Sequence, residues 1–187
     1  MKTLLLLLPI FLISCSQTPP PEVDDTNNSY LHWTHSDWID YHMLSSSGDG
    51  TPCFQIDEEL PFDPVTVYKM NDNLSVVQIL CSRGAYQNGY ILFQIYGDDI
   101  IERIGFEIYT DPETSDITYS LIDPIFDFDR NRLTTHAKSR GVGDCGYVAV
   151  YILAPAIDGP IEFKLIEFKL KEECDGEMSE WPVIFEE

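Results

Sequence analysis

Cys145 follows His136 by nine residues, inside the stretch S-R-G-V-G-D-C-G-Y-V of residues 139–148. A thiol with an imidazole in reach is the pair that makes a thiolate nucleophile. A second set of chemistry-bearing side chains lies near the start, where H-W-T-H-S-D-W-I-D-Y-H-M places His32, His35 and His42, with Asp37, within eleven residues. Neutral imidazoles suit zinc or copper, and on a helix the three histidines would lie near one face. The neighbouring Trp33, Trp38 and Tyr41 offer the competing reading, an aromatic cover for a sheet. A third set, Asp127, Asp129 and Asn131 in D-F-D-R-N-R, imitates the opening of a calcium loop. It carries Arg132 at the sixth place, where such a loop needs glycine, and Lys138 at the twelfth instead of glutamate, so it reads as a hairpin turn.

The compartment decides what the thiol does. Met1-Lys2-Thr3 is a short positive start, and Leu4 to Ile13 is a run of ten residues that is apolar except for one proline. That is too short for a bilayer span, which needs around 20 apolar residues, and it has the form of a signal peptide over residues 1–14. Leu12-Ile13-Ser14-Cys15 fits all four positions of a bacterial lipobox, so Cys15 is expected to carry the acyl chains that anchor the mature protein to a membrane. Ser16 stands where an aspartate would resemble an inner-membrane retention signal, which points to the outer membrane, facing the periplasm. Residues 15–29 carry three consecutive prolines and two aspartates and almost nothing apolar, the composition of a semi-stiff tether. Residues 30–187 are expected to form a single β-rich domain.

In an exported chain the four remaining cysteines, Cys53, Cys81, Cys145 and Cys174, read as two disulfides. Three connectivities are possible. The one that joins Cys53 to Cys81 and Cys145 to Cys174 is favoured because each pair flanks a local hairpin region. Cys145 is then a staple whose sulfur is consumed, and the pairing with His136 loses its nucleophile. No C-x-x-C, G-x-S-x-G, H-E-x-x-H or dinucleotide fingerprint occurs, so neither a catalytic residue nor a cofactor is assigned, and the chain is not expected to be an enzyme.

Charge is the outstanding compositional fact: 32 acidic residues stand against 11 basic ones, a net charge of −21. Removing Lys2 with the leader leaves 10 basic residues against the same 32 acidic ones, or −22. Such a protein is repelled by nucleic acid and by anionic lipid, and it attracts a basic partner or a cation. The acids cluster, at Asp57-Glu58-Glu59, Asp98-Asp99, Glu172-Glu173-Cys174-Asp175-Gly176-Glu177 and Glu186-Glu187.

Side chains so placed need elements to hold them, and the periodicity is overwhelmingly two. Ile91, Phe93 and Ile95 keep one phase, as do Ile104, Phe106 and Ile108, and Ile117, Tyr119 and Leu121; Leu74 to Leu80 is apolar on both faces. Asn71-Asp72-Asn73, Gly97-Asp98-Asp99, Asp111-Pro112, Asp129-Arg130-Asn131 and Asp158-Gly159-Pro160 mark the turns. From Ile161 to Leu170 the apolar phase slips by one residue near Leu165-Ile166, the signature of a β-bulge. The expectation is a mainly β fold, an antiparallel meander of about seven to nine strands forming a curved sheet, barrel or sandwich. One short helix is expected over Ser36–Leu44, with Ser36 as its N-cap.

Three pieces of the chain resemble an exported bacterial family, domain of unknown function 1176. F-D-F-D-R-N-R-L-T-T-H-A-K-S-R-G-V-G-D-C-G-Y, from Phe126 to Tyr147, is similar to its strand, turn and second strand running into a glycine-rich G-D-C-G element. C-S-R-G-A-Y-Q-N, from Cys81 to Asn88, resembles its C-x-x-G-A-Y-N, and C-D-G-E-M-S-E-W-P, from Cys174 to Pro182, resembles its closing C-x-G with a late W-P. The resemblance covers roughly Val65 to Phe185. It departs at Ser139, where glycine is usual, at the inserted Gln87, and in a shorter N-terminal region. The resemblance supports export and the fold class and carries no activity.

Two functional expectations follow. The first is an acidic envelope lipoprotein whose domain binds a basic protein, as an inhibitor or immunity factor for a cell-wall enzyme or toxin. The second is a zinc- or copper-binding lipoprotein using His32, His35 and His42.

Overall fold

The computed structural model describes residues 30–45, 53–54, 56, 60–97, 99–154 and 160–187. The leader, the tether with Cys15, the acidic residues Asp57, Glu58, Glu59 and Asp98, and the turn residues Asp158 and Gly159 lie outside the described residues.

Thr34 starts the helix. Its Oγ1 accepts from the Asp37 amide at 3.3 Å, and Asp37 Oδ2 accepts from the Thr34 amide at 2.8 Å. This is a reciprocal cap in which each side chain closes the other's orphan backbone donor. The helix α1 therefore runs His35–Ser45, after a 3-10 turn at Tyr30–His32. Its cap is Thr34 rather than Ser36, a correction of two residues, because only Thr34 has an acid three positions on in register to reciprocate.

Twelve strands follow among the described residues, all paired antiparallel. Four of them, β1 (Val65–Lys69), β2 (Leu74–Arg83), β3 (Asn88–Tyr96) and β4 (Asp99–Arg103), form a meander. β5 (Phe106–Asp111) and β6 (Thr114–Thr118) make a separate hairpin. β7 (Leu121–Ile122) returns to pair with β3 and completes a five-stranded sheet. The second five-stranded sheet is another meander, in the order β12-β11-β10-β9-β8, from β8 (Ile125–Asp127), β9 (Arg132–Lys138), β10 (Gly146–Ala154), β11 (Glu162–Lys171) and β12 (Val183–Glu186). The fold is mainly β with one short helix. Neither sheet closes on itself, so the barrel alternative falls away. The apolar run from Ile117 to Leu121 divides between two sheets, because Tyr119 and Ser120 lie between β6 and β7.

The first sheet is buried on both faces, which explains why β2 is apolar on both. Leu74, Val76 and Leu92 face the second sheet and join Leu133, Ala149, Tyr151, Leu165 and Phe168 in one core. Val77, Ile79, Ile91, Phe93 and Ile95 point the other way, under Trp38 and Ile39 of α1. The layers are thus helix, sheet, sheet. Buried polar groups tie them together. Gln94, 2% exposed, donates to the Ile161 carbonyl at 2.9 Å and accepts from the Ile161 amide at 2.6 Å, fixing the start of β11 against β3. Thr135 Oγ1 on β9 donates to the Ile122 carbonyl on β7 at 2.6 Å. The β5–β6 hairpin leans on the second sheet through Phe106, whose ring lies 5.2 Å from that of Tyr151 and 5.3 Å from that of Phe163.

The phase slip in β11 is a bulge. Val150 pairs with Glu167 and Tyr151 with Leu165, leaving Ile166 as the extra residue. β2 carries another: Leu80 pairs with Tyr90 and Ser82 with Gly89, so Cys81 is unpaired in the ladder, and its carbonyl accepts from the Phe54 amide at 2.9 Å.

Candidate functional site

Cys53 is bonded to Cys81 and Cys145 to Cys174, across sequence separations of 28 and 29 residues. No thiol of these four remains to act as a nucleophile. His136 instead sets its ring 5.1 Å from that of Trp181. Burial and the nearby Lys138 charge push the His136 imidazole below its ordinary pKa.

The histidines near the start are not assembled into a ligand set. His35 Nε2 donates to the Leu80 carbonyl at 2.7 Å and pins α1 to the bulge of β2. His42 is buried under the helix, and its Nδ1 accepts from Arg103 Nη1 at 3.5 Å. His32 is exposed on the preceding turn. Among the described residues the one group of three ligand-type side chains is Asp144, Cys145 and Cys174, and its two sulfurs are bonded to each other. Asp127 is equally committed, its Oδ2 accepting from Arg130 Nη1 at 2.9 Å across the β8–β9 turn.

What the fold does assemble is the corner where the three motif pieces meet. Gly146, at φ +132°, opens β10 where a Cβ would collide with the Ala137 carbonyl oxygen. Gly141 lies under the ring of Tyr86, and a Cβ there would stand 2.5 Å from it. Glycine is demanded at Gly146, where the obstacle is backbone, whereas at Gly141 a side chain would have to displace the exposed Tyr86 ring. Gln87, the inserted residue of the first piece, clasps β9: its Nε2 donates to the His136 carbonyl and its Oε1 accepts from the Lys138 amide at 2.6 Å.

Asp144 is the polar centre of this corner. Its carboxylate is fully buried and receives Arg140 through both oxygens, together with the Gly176 amide at 2.6 Å. The Arg140 hydrogen bonds, reinforced by the Gly176 amide, hold the Asp144 carboxyl well below the usual carboxylate range. Arg140 also donates to the Cys174 carbonyl at 3.0 Å. One ion pair, its carboxylate buried and its guanidinium half exposed, thus fastens both sides of the Cys145–Cys174 bridge.

Beyond the bridge the chain crosses the surface as a strap, residues 172–182, before β12. Lys171, 9% exposed, holds it: Nζ donates to Asp175 Oδ1 and to the Glu177 carbonyl, each at 2.8 Å. That bond keeps the Asp175 carboxyl below its ordinary pKa. From Glu172 to Glu187 there are seven acidic residues and no lysine or arginine. A groove of about 530 Å³ runs beside the strap, over Leu170, Pro182 and Ile184. Sequence reasoning placed Cys145 and Cys174 in disulfides and missed both ion pairs. Their one signal was spacing, since Arg140 and Asp144, like Lys171 and Asp175, stand four residues apart outside any helix.

No curated protein and no solved structure matches the chain. A family model does, and it reaches upstream of the three motif pieces whose residues build the corner. That model, described as a protein of unknown function (DUF1176), matches residues 13–186, and the chain belongs to this family.

Proposed function

We propose that the protein is a lipid-anchored lipoprotein of the bacterial envelope, held at the outer membrane through Cys15 and facing the periplasm. Its disulfide-stapled β fold docks a basic protein. Carrying this reading is the strap: five carboxylates with no lysine or arginine interspersed, followed by Glu186 and Glu187 at the C-terminal end of a chain of net charge −21, and fastened by a disulfide and two ion pairs rather than left loose. A field of that sign steers a cationic partner inward and speeds encounter, while the fixed backbone limits the ordering entropy lost on binding. An inhibitor or immunity factor for a basic cell-wall enzyme or toxin has these requirements, since it must capture a cationic protein quickly and hold it.

The test displays the full lipidated chain on vesicles of neutral lipid and exposes it to envelope extract at low and at high ionic strength. Retention of a basic protein at low salt and its release at high salt is the expected result. A surface that retains nothing at low salt sinks the reading, and a Cys15→Ala chain that still fractionates with the membrane sinks the anchor.

A further inference from the structure

We infer that the groove beside the strap is the seat for a long cationic side chain, lysine or arginine, presented by the basic partner; this deepens the docking reading above and rests on it. The groove has two kinds of wall. Its floor is apolar, from Leu170 at the end of β11, Ile184 of β12 and Pro182 between strap and strand. Its rim carries Glu172, Glu173 and Glu180, all exposed.

Lys171 also lines the groove, and its ammonium is turned into the strap by Asp175, the Glu177 carbonyl and Ser179 Oγ at 3.5 Å. The cation that belongs to the groove is thereby neutralised internally. Among the described residues, none of the three rim glutamates meets a cation of the chain. An apolar floor under unneutralised carboxylates matches a side chain whose methylene stem wants apolar contact and whose head wants negative charge. A free metal ion uses the rim alone and leaves the floor uncovered. A purely apolar segment uses the floor and leaves three carboxylates half desolvated.

The strap makes the seat rigid before binding. The Cys145–Cys174 bond, the Asp144 carboxylate on the Gly176 amide and the Lys171 clasp fix the wall at three points within a few residues. Rigid walls convert more of the contact energy into affinity.

Two comparisons on the full chain in detergent test this, with tetra-lysine as the probe at low salt. The first sets Glu172→Gln/Glu173→Gln/Glu180→Gln against Asp72→Asn/Asp99→Asn/Asp129→Asn, which removes the same charge from exposed sites outside the groove. The groove triple should weaken tetra-lysine about tenfold and the outside triple about twofold or less. The second compares tetra-lysine with tetra-(2,4-diaminobutyrate) at pH 6, where both are fully protonated and of equal charge but the second has only a two-carbon stem. Tetra-lysine should bind several-fold more tightly, because only its stem reaches along the floor. Equal losses in the two triples, or equal affinity for the two peptides, overturn the seat while the general charge-driven docking stands. A wild-type chain that binds neither peptide, yet retains a basic envelope protein, overturns the seat alone; one that binds neither peptide nor protein overturns both.

Discussion

Two peripheral segments lie against this pair of sheets, each behind a disulfide that closes a loop of nearly the same length, and they are held by opposite physics. On one side α1 inserts Trp38 and Ile39, 1% and 2% exposed, onto the first sheet, with Trp38 stacked at 5.4 Å on Phe93. On the other side residues 172–180 of the strap are exposed throughout, and its one large ring, Trp181, is only half-buried, edge-on to His136 at 5.1 Å. Its anchors are a covalent bond, a buried carboxylate and a buried ammonium. The helix layer is therefore a continuation of the core and should open only with it. The strap is an attachment, able to loosen while the sheets stay folded.

The difference is largest for truncation of the core. Trp38→Ala removes the widest apolar contact of the helix layer and should cost about 3–5 kcal/mol in denaturant unfolding, while the Gly176 amide keeps its exchange protection. If protection at Gly176 fell in parallel, the two regions would be one cooperative unit.

Next comes the staple. Cys145→Ser/Cys174→Ser should cost roughly 3–4 kcal/mol on the chain-entropy account. Its local signature is early exchange across residues 174–182 with α1 amides unchanged. A loss of protection in α1 as large as that in the strap would erase the contrast.

A smaller effect sharpens the helix side. Thr34→Ala deletes the reciprocal cap with Asp37 and should cost about 1 kcal/mol in thermal or denaturant unfolding, with fraying limited to the first turn of α1.

The smallest effect at neutral pH, none at all, belongs to acidification. Asp144 has its carboxyl depressed in the folded protein, so its contribution is complete above the ordinary aspartate pKa of about 3.9 and is lost as pH falls through the lower folded value. Exchange at Gly176 should hence be flat from pH 7 to about 4, after correction for intrinsic rates, and rise only below that. A rise centred near pH 4 or above would mean that Arg140 does not grip Asp144 in solution.

Much of the fold was legible because the signals were local. Alternation of two announced most strands, the one-residue phase slip announced the bulge at Ile166, and Asn71-Asp72-Asn73, Asp111-Pro112 and Asp129-Arg130-Asn131 marked the turns of the β1–β2, β5–β6 and β8–β9 hairpins. The helix was placed within a residue at each end, and its cap was misread because Ser36 and Thr34 are both good caps until Asp37 chooses between them. The histidines misled for a related reason. Spacing shows which side chains share a helix face, but not that His35 meets the Leu80 carbonyl while His42 meets Arg103 on another strand.

By itself the chain determined its secondary structure, its charge and the identity of the residues whose partners lie nearby, because propensity and alternation act within a few positions and net charge acts with no geometry at all. Tertiary structure alone decided that the two meanders stack into a sandwich instead of closing, and that Tyr86 comes to rest on Gly141. It also decided that a carboxylate at position 144 would be sealed in beside Arg140. Those outcomes depend on contacts between residues tens of positions apart, for Asp144 the one with the Gly176 amide rather than with the neighbouring Arg140, and no local preference encodes such a meeting; only the packing of distant segments brings it about.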